Sequence, residues 1–310
     1  MSPRLKAILQ ALLVAFIWST SWIFIKIGLN DVPPLLFAGL RYFLAALSLW
    51  VLMIFSPERK NIKSVSKNDW ISILLIGVFA YALTQGSQFL GLKYLPTVTV
   101  NLMLGMSTIV VALLGTGIIK EHLSILQWLG VLLAPLGAIF YFYPIQLPVG
   151  SSFGMIVVTV GLFSGAIGTI LSRNINRTGH IHPLLLTTLS ITIGGILMIL
   201  GGIITEGFPP IPLIAWGNIV FLAIVNTAFT FVLWNKTMQV LTAAESSMIN
   251  NTMMVQVPIL AFIFLGETVT TRQLVGMGLV IAGVILVQVF RQKVSRLGNA
   301  LDAETVSTLE

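Results

Sequence analysis

The side chains able to do chemistry in this chain are few, and they sit inside apolar runs. Tyr81, Gln85 and Gln88 are spaced i, i+4 and i+7, which sets them on one face of a helix. A later run carries Asn226, Thr230 and Trp234. Ser247, Asn250, Asn251 and Met254 share a face of the next run, and Asn101 lies in an earlier one. Near the start, Trp18, Ser19 and Trp22 bring two indoles one helical turn apart. Amides and hydroxyls both donate and accept hydrogen bonds. Aromatic walls take apolar side chains or cationic groups. A cavity of this composition suits neutral polar or zwitterionic small molecules, hydrophobic or aromatic amino acids among them. The plainer reading is that the same groups only join helices to one another.

The charges inside the apolar runs are rarer. Arg41 lies about seven residues into its run, roughly 10 Å deep at the helical rise. Burying it costs about 2.5–3.5 kcal/mol on insertion scales. It reads as a structural link or a gating contact, with a substrate-carboxylate anchor as the other option, and it is long enough to snorkel outward. Glu245 sits at the edge of a run, where a buried carboxylate would carry a coupling proton and a hydrated one would only cap a helix. Lys26 reads as an interface residue. Glu121 and Glu267 precede two runs and read as caps of the helix that follows each. Pro258 and Pro135 remove backbone bonds inside their runs, and Pro258 is the candidate hinge.

Other chemistries lack their residues. There is no cysteine, so no disulfide and no thiolate site. The histidines are His122, His180 and His182, all in predicted loops; His180 and His182 alone make an incidental pair rather than a metal site. No H-E-x-x-H, nucleophile elbow or phosphate loop appears, so the sequence predicts neither an enzyme nor a nucleotide-driven pump, and no cofactor. The Asn176-Arg-Thr178 glycosylation pattern falls on the predicted cytoplasmic side.

The elements that must position these residues are membrane helices. Of 310 residues, 56% are hydrophobic and 9% charged, with mean hydropathy +0.99. Soluble domains average about 25% charged residues. Runs of about 20 apolar residues, enough for the ~30 Å hydrocarbon core, predict spans over 7–27, 34–55, 70–91, 98–119, 124–143, 153–172, 183–204, 215–235, 243–265 and 272–291. The first is too long for a signal-peptide core of about 7–15 residues and reads as a retained helix. Proline-rich breaks separate several spans. The net charge of +7 points to membrane topology rather than nucleic acid. With a cytoplasmic N-terminus, the inner side holds Arg4, Lys6, Arg59, Lys60, Lys63, Lys67, Lys120, Arg173, Arg177, Lys236, Arg291, Lys293 and Arg296. The outer side holds Lys26, Lys93 and Arg272. That bias predicts both termini in the cytoplasm of a cell-membrane protein.

A shift of 146 positions aligns Trp70 with Trp216, Thr84 with Thr230, Glu121 with Glu267, Gln127 with Gln273, Gly130 with Gly276 and Gly137 with Gly283. The last four pairs form E-x5-Q-x2-G-x6-G, twice. Pro34-Leu-Leu36 matches Pro183-Leu-Leu185 at a shift of 149. The chain therefore reads as a five-helix repeat over 1–146, a second over 147–292 and a polar cytoplasmic tail over 293–310. Five is odd, so the second copy enters from the opposite side, and the repeats are inverted. Such halves place a substrate near the midplane between them and can open it to each side in turn. The fold expected is all-α: a polytopic membrane protein of ten transmembrane helices as two inverted five-helix repeats. The rival is an uncoupled channel, which would share the polar helices. In the second half, the repeat shift sets Thr227, Phe231 and Trp234 opposite Tyr81, Gln85 and Gln88. On the sixth span, Gly154, Gly161, Gly165 and Gly168 form a small-residue face for close packing.

The stretch from Trp18-Ser-Thr-Ser-Trp22 to Lys26-Ile-Gly28, then Pro34 and Arg41-Tyr-Phe43, resembles the opening of an EamA-type repeat. So do the two patterns Glu121 to Gln127-Trp-Leu-Gly130 and Gly266-Glu267 to Gln273-Leu-Val-Gly276. The resemblance, to the drug/metabolite transporter superfamily, covers nearly the whole chain. It implies ten helices, a cytoplasmic-membrane location and export or exchange of metabolites such as amino acids. The opening motif is degenerate in the second half, and Asn250-Asn251 stand where such helices often carry small apolar residues. Substrate and oligomeric state stay open.

Overall fold

The structure is a computed structural model. It describes residues 2–57, 62, 65–107, 109–111, 113, 114, 124–143, 151–178, 181–238, 240, 241 and 249–286. Glu121, His122, His180, Glu245, Ser247 and the tail 293–310 lie outside the described residues.

Among the described residues every element is helical. Helix α1 is Pro3–Gly28, α2 Pro34–Ile54 and α3 Lys67–Tyr94. Helix α4 is Thr97–Val111, α5 Ile125–Phe142, α6 Ser151–Thr178 and α7 Pro183–Glu206. Helix α8 runs from Leu213–Ala223 through Ile224–Phe229 into Thr230–Met238, α9 is Ile249–Leu265 and α10 is Thr271–Leu286. Seven of these are long and apolar enough to cross a membrane; α4, α9 and α10 are shorter apolar helices at the remaining three predicted spans. The chain is a multi-pass membrane protein. Its outer faces carry exposed large apolar side chains such as Ile204, Leu213, Leu132 and Phe264, which only a lipid environment would solvate well.

Caps mark the helix starts. Ser66 with Asp69, Ser124 with Gln127, and Thr270 with Gln273 make reciprocal capping boxes at α3, α5 and α10. The repeated glutamines Gln127 and Gln273 are thus the third residues of equivalent boxes. At the other end, Gly266 ends α9 with φ 65°, a left-handed position that suits glycine.

Small residues set the packing. On α6, Gly161, Gly165 and Gly168 lie against Ser87, Thr84 and Ala80 of α3, and Gly154 lies against Tyr94 and Leu95. A Cβ at Gly168 would stand 2.7 Å from Ala80, so nothing larger fits. Gly39, Gly195 and Gly202 bring α2 and α7 into similar backbone contact. Between α5 and α10, Gly137 meets the Gly276 carbonyl, while Gly283 meets the Gly130 carbonyl. These two contacts exchange under the 146-residue shift.

Among the described residues four helices are irregular, and their irregularities fall in pairs 146 positions apart. The segment Gly77–Leu83 of α3 winds as a π-helix, and so does Ile224–Phe229 of α8. In α4 the turn tightens at Met106, with Met106 N donating to Met103 O and Ile109 N to Met106 O. In α9 it tightens at Thr252, with Thr252 N donating to Ile249 O and Val255 N to Thr252 O. Each member of these bonds lies 146 positions from its counterpart. Wider and tighter turns of this kind leave carbonyls and N–H groups outside the regular ladder.

Candidate functional site

The irregular stretch of α8 faces α1. There the indole Nε1 of Trp18 donates to Thr230 Oγ1 at 2.8 Å and to the Asn226 carbonyl at 3.1 Å. Asn226, fully buried, donates from Nδ2 to the Ile17 carbonyl at 2.7 Å, while its Oδ1 is enclosed without a partner. The Thr230 hydroxyl donates in turn to the Asn226 carbonyl. The Asn226 carbonyl, within the π-helical winding, thus accepts from a side chain of another helix.

Aromatic rings continue the site across the bundle. Trp18 lies 5.1 Å from Trp234 and 5.6 Å from Phe231, ring centre to ring centre. Phe231 lies 6.2 Å from Tyr81, and Tyr81 lies 6.1 Å from Tyr42. The row joins α1, α8, α3 and α2, and Tyr81 comes from the π-helical part of α3. Beside Tyr42, Arg41 turns inward, not outward: it is buried, and its Nε donates to Thr227 Oγ1 at 3.0 Å. Thr227 is the residue that the repeat shift sets opposite Tyr81.

The structure therefore brings together Trp18, Asn226, Thr230, Trp234, Tyr81 and, through Thr227 and Tyr42, Arg41. Gln85 is half-buried and Gln88 buried on α3; among the described residues neither side chain makes a hydrogen bond. Asn101 is buried on α4. Trp22 is packed in the apolar core that also holds Phe37, Phe89 and Ile219. On α9, Asn250 is exposed, Asn251 half-buried and Met254 buried. Also on α9, Gln256 Oε1 accepts from Ser19 Oγ at 2.8 Å and its Nε2 donates to Thr252 Oγ1. Pro258 is buried within the regular Met253–Leu265 stretch, and the interruption of α9 lies before it, at Thr252.

Three charged groups secure the helix ends near the 29–33 and 95–96 turns. Glu206, ending α7, accepts from Leu35 N and Leu36 N of α2, at 3.0 Å each. Glu267 accepts from Thr97 N at 2.7 Å and Val98 N at 3.1 Å, so it caps α4 rather than the following α10, whose start Thr270 and Gln273 already satisfy. Lys26, in the last turn of α1, donates to the Leu92 and Leu95 carbonyls at the end of α3. Each charge meets helix-end groups of opposite partial charge.

Two matches of one family model decide the relationship: the EamA-like transporter family matches residues 5–143 and again 152–289. The chain belongs to the EamA-like transporter family. It is 24% identical over 289 residues to the uncharacterized transporter YoaV of Bacillus subtilis (strain 168), covering 91% of this chain and 96% of that protein. It is 26% identical to a protein of Salmonella typhimurium named "Probable amino-acid metabolite efflux pump", covering 92% and 95%. It is 24% identical to the S-adenosylmethionine/S-adenosylhomocysteine transporter of Chlamydia muridarum, covering 92% and 93%. A solved structure described as "Crystal structure of protein" shares the fold with a TM-score of 0.65 at 15% identity, over 93% of this chain and 98% of that one. Relatives in this family are named as transporters, and the coarse function follows: a membrane transporter of small metabolites.

Proposed function

We propose that this chain is a secondary transporter, an exporter or exchanger, whose cargo class is amino acids or similar zwitterions. It works by alternating access of a cavity bounded by α3, α4, α8 and α9, with α1 closing one wall. The observation that carries the reading is the equivalent irregularity of those four helices beside the row from Arg41 to Trp234. Backbone groups released inside a membrane are tolerated where they meet protein or line a cavity. Broken helices at repeat-related positions are a common pointer to a transporter's binding site.

Inverted symmetry supplies the motion. The exchanged contacts of Gly137 with Gly276 and of Gly130 with Gly283 are what a two-fold axis between the halves requires. If the halves 1–146 and 147–292 are related by that axis, each adopts the other's conformation at similar cost, and the cavity opens to either side. The location proposed is the cell membrane, with both termini cytoplasmic. The amino-acid cargo draws on the amide and aromatic lining and on the name of the Salmonella relative.

Counterflow into proteoliposomes loaded with a mixture of the twenty amino acids tests the reading. A transporter gives saturable uptake of at least one labelled amino acid, accelerated by the internal load. Rapid unsaturable flux, or conductance without trans-stimulation, would sink it. A proton-coupled carrier also loses its response to an imposed pH gradient in Glu245→Gln; an unchanged response removes Glu245 as the proton carrier.

A further inference from the structure

Arg41 is 5% exposed, and its surroundings leave one side of the guanidinium unused. Its Nε donates to Thr227 Oγ1 at 3.0 Å. The Thr227 hydroxyl gives its own proton to the Leu222 carbonyl at 2.9 Å, which fixes it as an acceptor toward Arg41. The guanidinium carbon stands 5.4 Å from the Tyr42 ring centre and 5.9 Å from that of Phe89. Rings attract the charge but offer its terminal N–H groups no in-plane lone pair. Among the described residues the two terminal nitrogens have no hydrogen-bond partner, and no carboxylate forms an ion pair with them. The enclosed orphan atoms are Thr97 Oγ1, Ser190 Oγ, Asn218 Oδ1 and Asn226 Oδ1. The terminal nitrogens of Arg41 are not among these fully enclosed atoms.

A gating contact with backbone carbonyls would occupy those nitrogens, and a purely structural link uses only the Nε side. Four N–H donors therefore remain in a planar fork, on a buried cation that no acid among the described residues neutralises. That fork matches a carboxylate through two parallel bonds. We infer that the terminal nitrogens of Arg41 hold the carboxylate of the transported molecule, so that the substrates are carboxylate-bearing metabolites. This rests on the transport reading above. The carboxylate pairs with the charge where a neutral molecule leaves it bare. Gln85 and Gln88, on the same helix as Phe89, make no side-chain hydrogen bond among the described residues.

The test uses the full-length chain in lipid nanodiscs, with tryptophan-monitored thermal unfolding. The probes are acetate, the twenty amino acids and the primary amides of those amino acids. The expected result is that at least one acid raises the unfolding midpoint, that its amide binds at least about tenfold more weakly, and that Arg41→Lys weakens the acid about tenfold to a hundredfold. Arg41→Lys keeps the charge and loses the fork, and wild-type acid against amide needs no variant at all. The inference is overturned if amides bind as well as acids, if Arg41→Lys and Arg41→Gln bind acids as tightly as wild type, or if no carboxylate shifts the wild-type protein. Counterflow on the same preparations separates the two claims. Flux that treats acid and amide alike keeps the transporter and removes the Arg41 site. Acid binding that depends on Arg41, without counterflow of any amino acid, keeps the site and removes the transporter.

Discussion

At the scale of single residues, the site is held by bonds between groups far apart in sequence. The indole of Trp18 has two acceptors on α8, so removing one does not orphan it. Thr230→Val leaves the Asn226 carbonyl as acceptor. We expect it to cost no more than about 0.6–1.7 kcal/mol, the range of inter-helix bonds in membranes. Trp18→Phe should cost more, since ring contacts go as well, and the double variant should cost less than the sum. Denaturant titration of the four proteins measures this; strict additivity would mean that Trp18 and Thr230 do not interact. Polar residues were legible at this scale, because Asn226 and Thr230 stand out in an apolar run. Their partners were not: hydropathy carries no record of which distant helix a side chain will meet. Gln256 shows the same limit, since its bond to Ser19 joins α9 to α1. The inward turn of Arg41 depends on Thr227 of another half, which the repeat shift had aligned with Tyr81 without naming a role.

At the scale of elements, helix positions were readable from length and apolarity, and the glycine face of α6 did prove to be a packing face. The hydrogen-bond register inside α3, α4, α8 and α9 was not, because π and tightened turns change no residue type. The capping boxes were available in Ser124-x-x-Gln127 and Thr270-x-x-Gln273, a pattern with a known mechanism, although the repeat first drew notice to those glutamines. Close packing gives a sharp prediction. A Cβ at Gly137 or Gly283 would come within 2.8 Å of backbone atoms of the facing helix, whereas Gly278 meets nothing within 4 Å. Gly137→Ala and Gly283→Ala should each destabilise by about 1–3 kcal/mol. Gly278→Ala, in the same helix as Gly283, should be neutral or stabilise by up to about 1 kcal/mol. Equal effects at all three positions, read by thermal unfolding, would reject the α5–α10 contact. Glu267→Gln keeps the shape of the α4 cap and loses its charge. A loss of about 0.3–2 kcal/mol is expected, and no loss would mean the carboxylate does not serve that helix start.

At the scale of the whole molecule, the central claim is that two equivalent halves open a shared cavity alternately. The sequence carried this claim through paired residues, and the structure adds paired irregularities and exchanged glycine contacts. Position pairs make the claim measurable. Tyr94 and Leu213, both exposed, lie where α3 ends and α8 begins; Lys67 and Val240, also exposed, are their counterparts at a shift of 146, where α3 begins and α8 ends. The chain has no native cysteine, so spin labels can be placed at either pair without background. Electron–electron distance measurements in lipid nanodiscs, with and without the twenty amino acids, compare the two pairs directly. The account predicts that one pair shortens while the other lengthens, with the two distributions exchanging weight. Two distances that stay fixed, or that widen together as a pore would require, would contradict it.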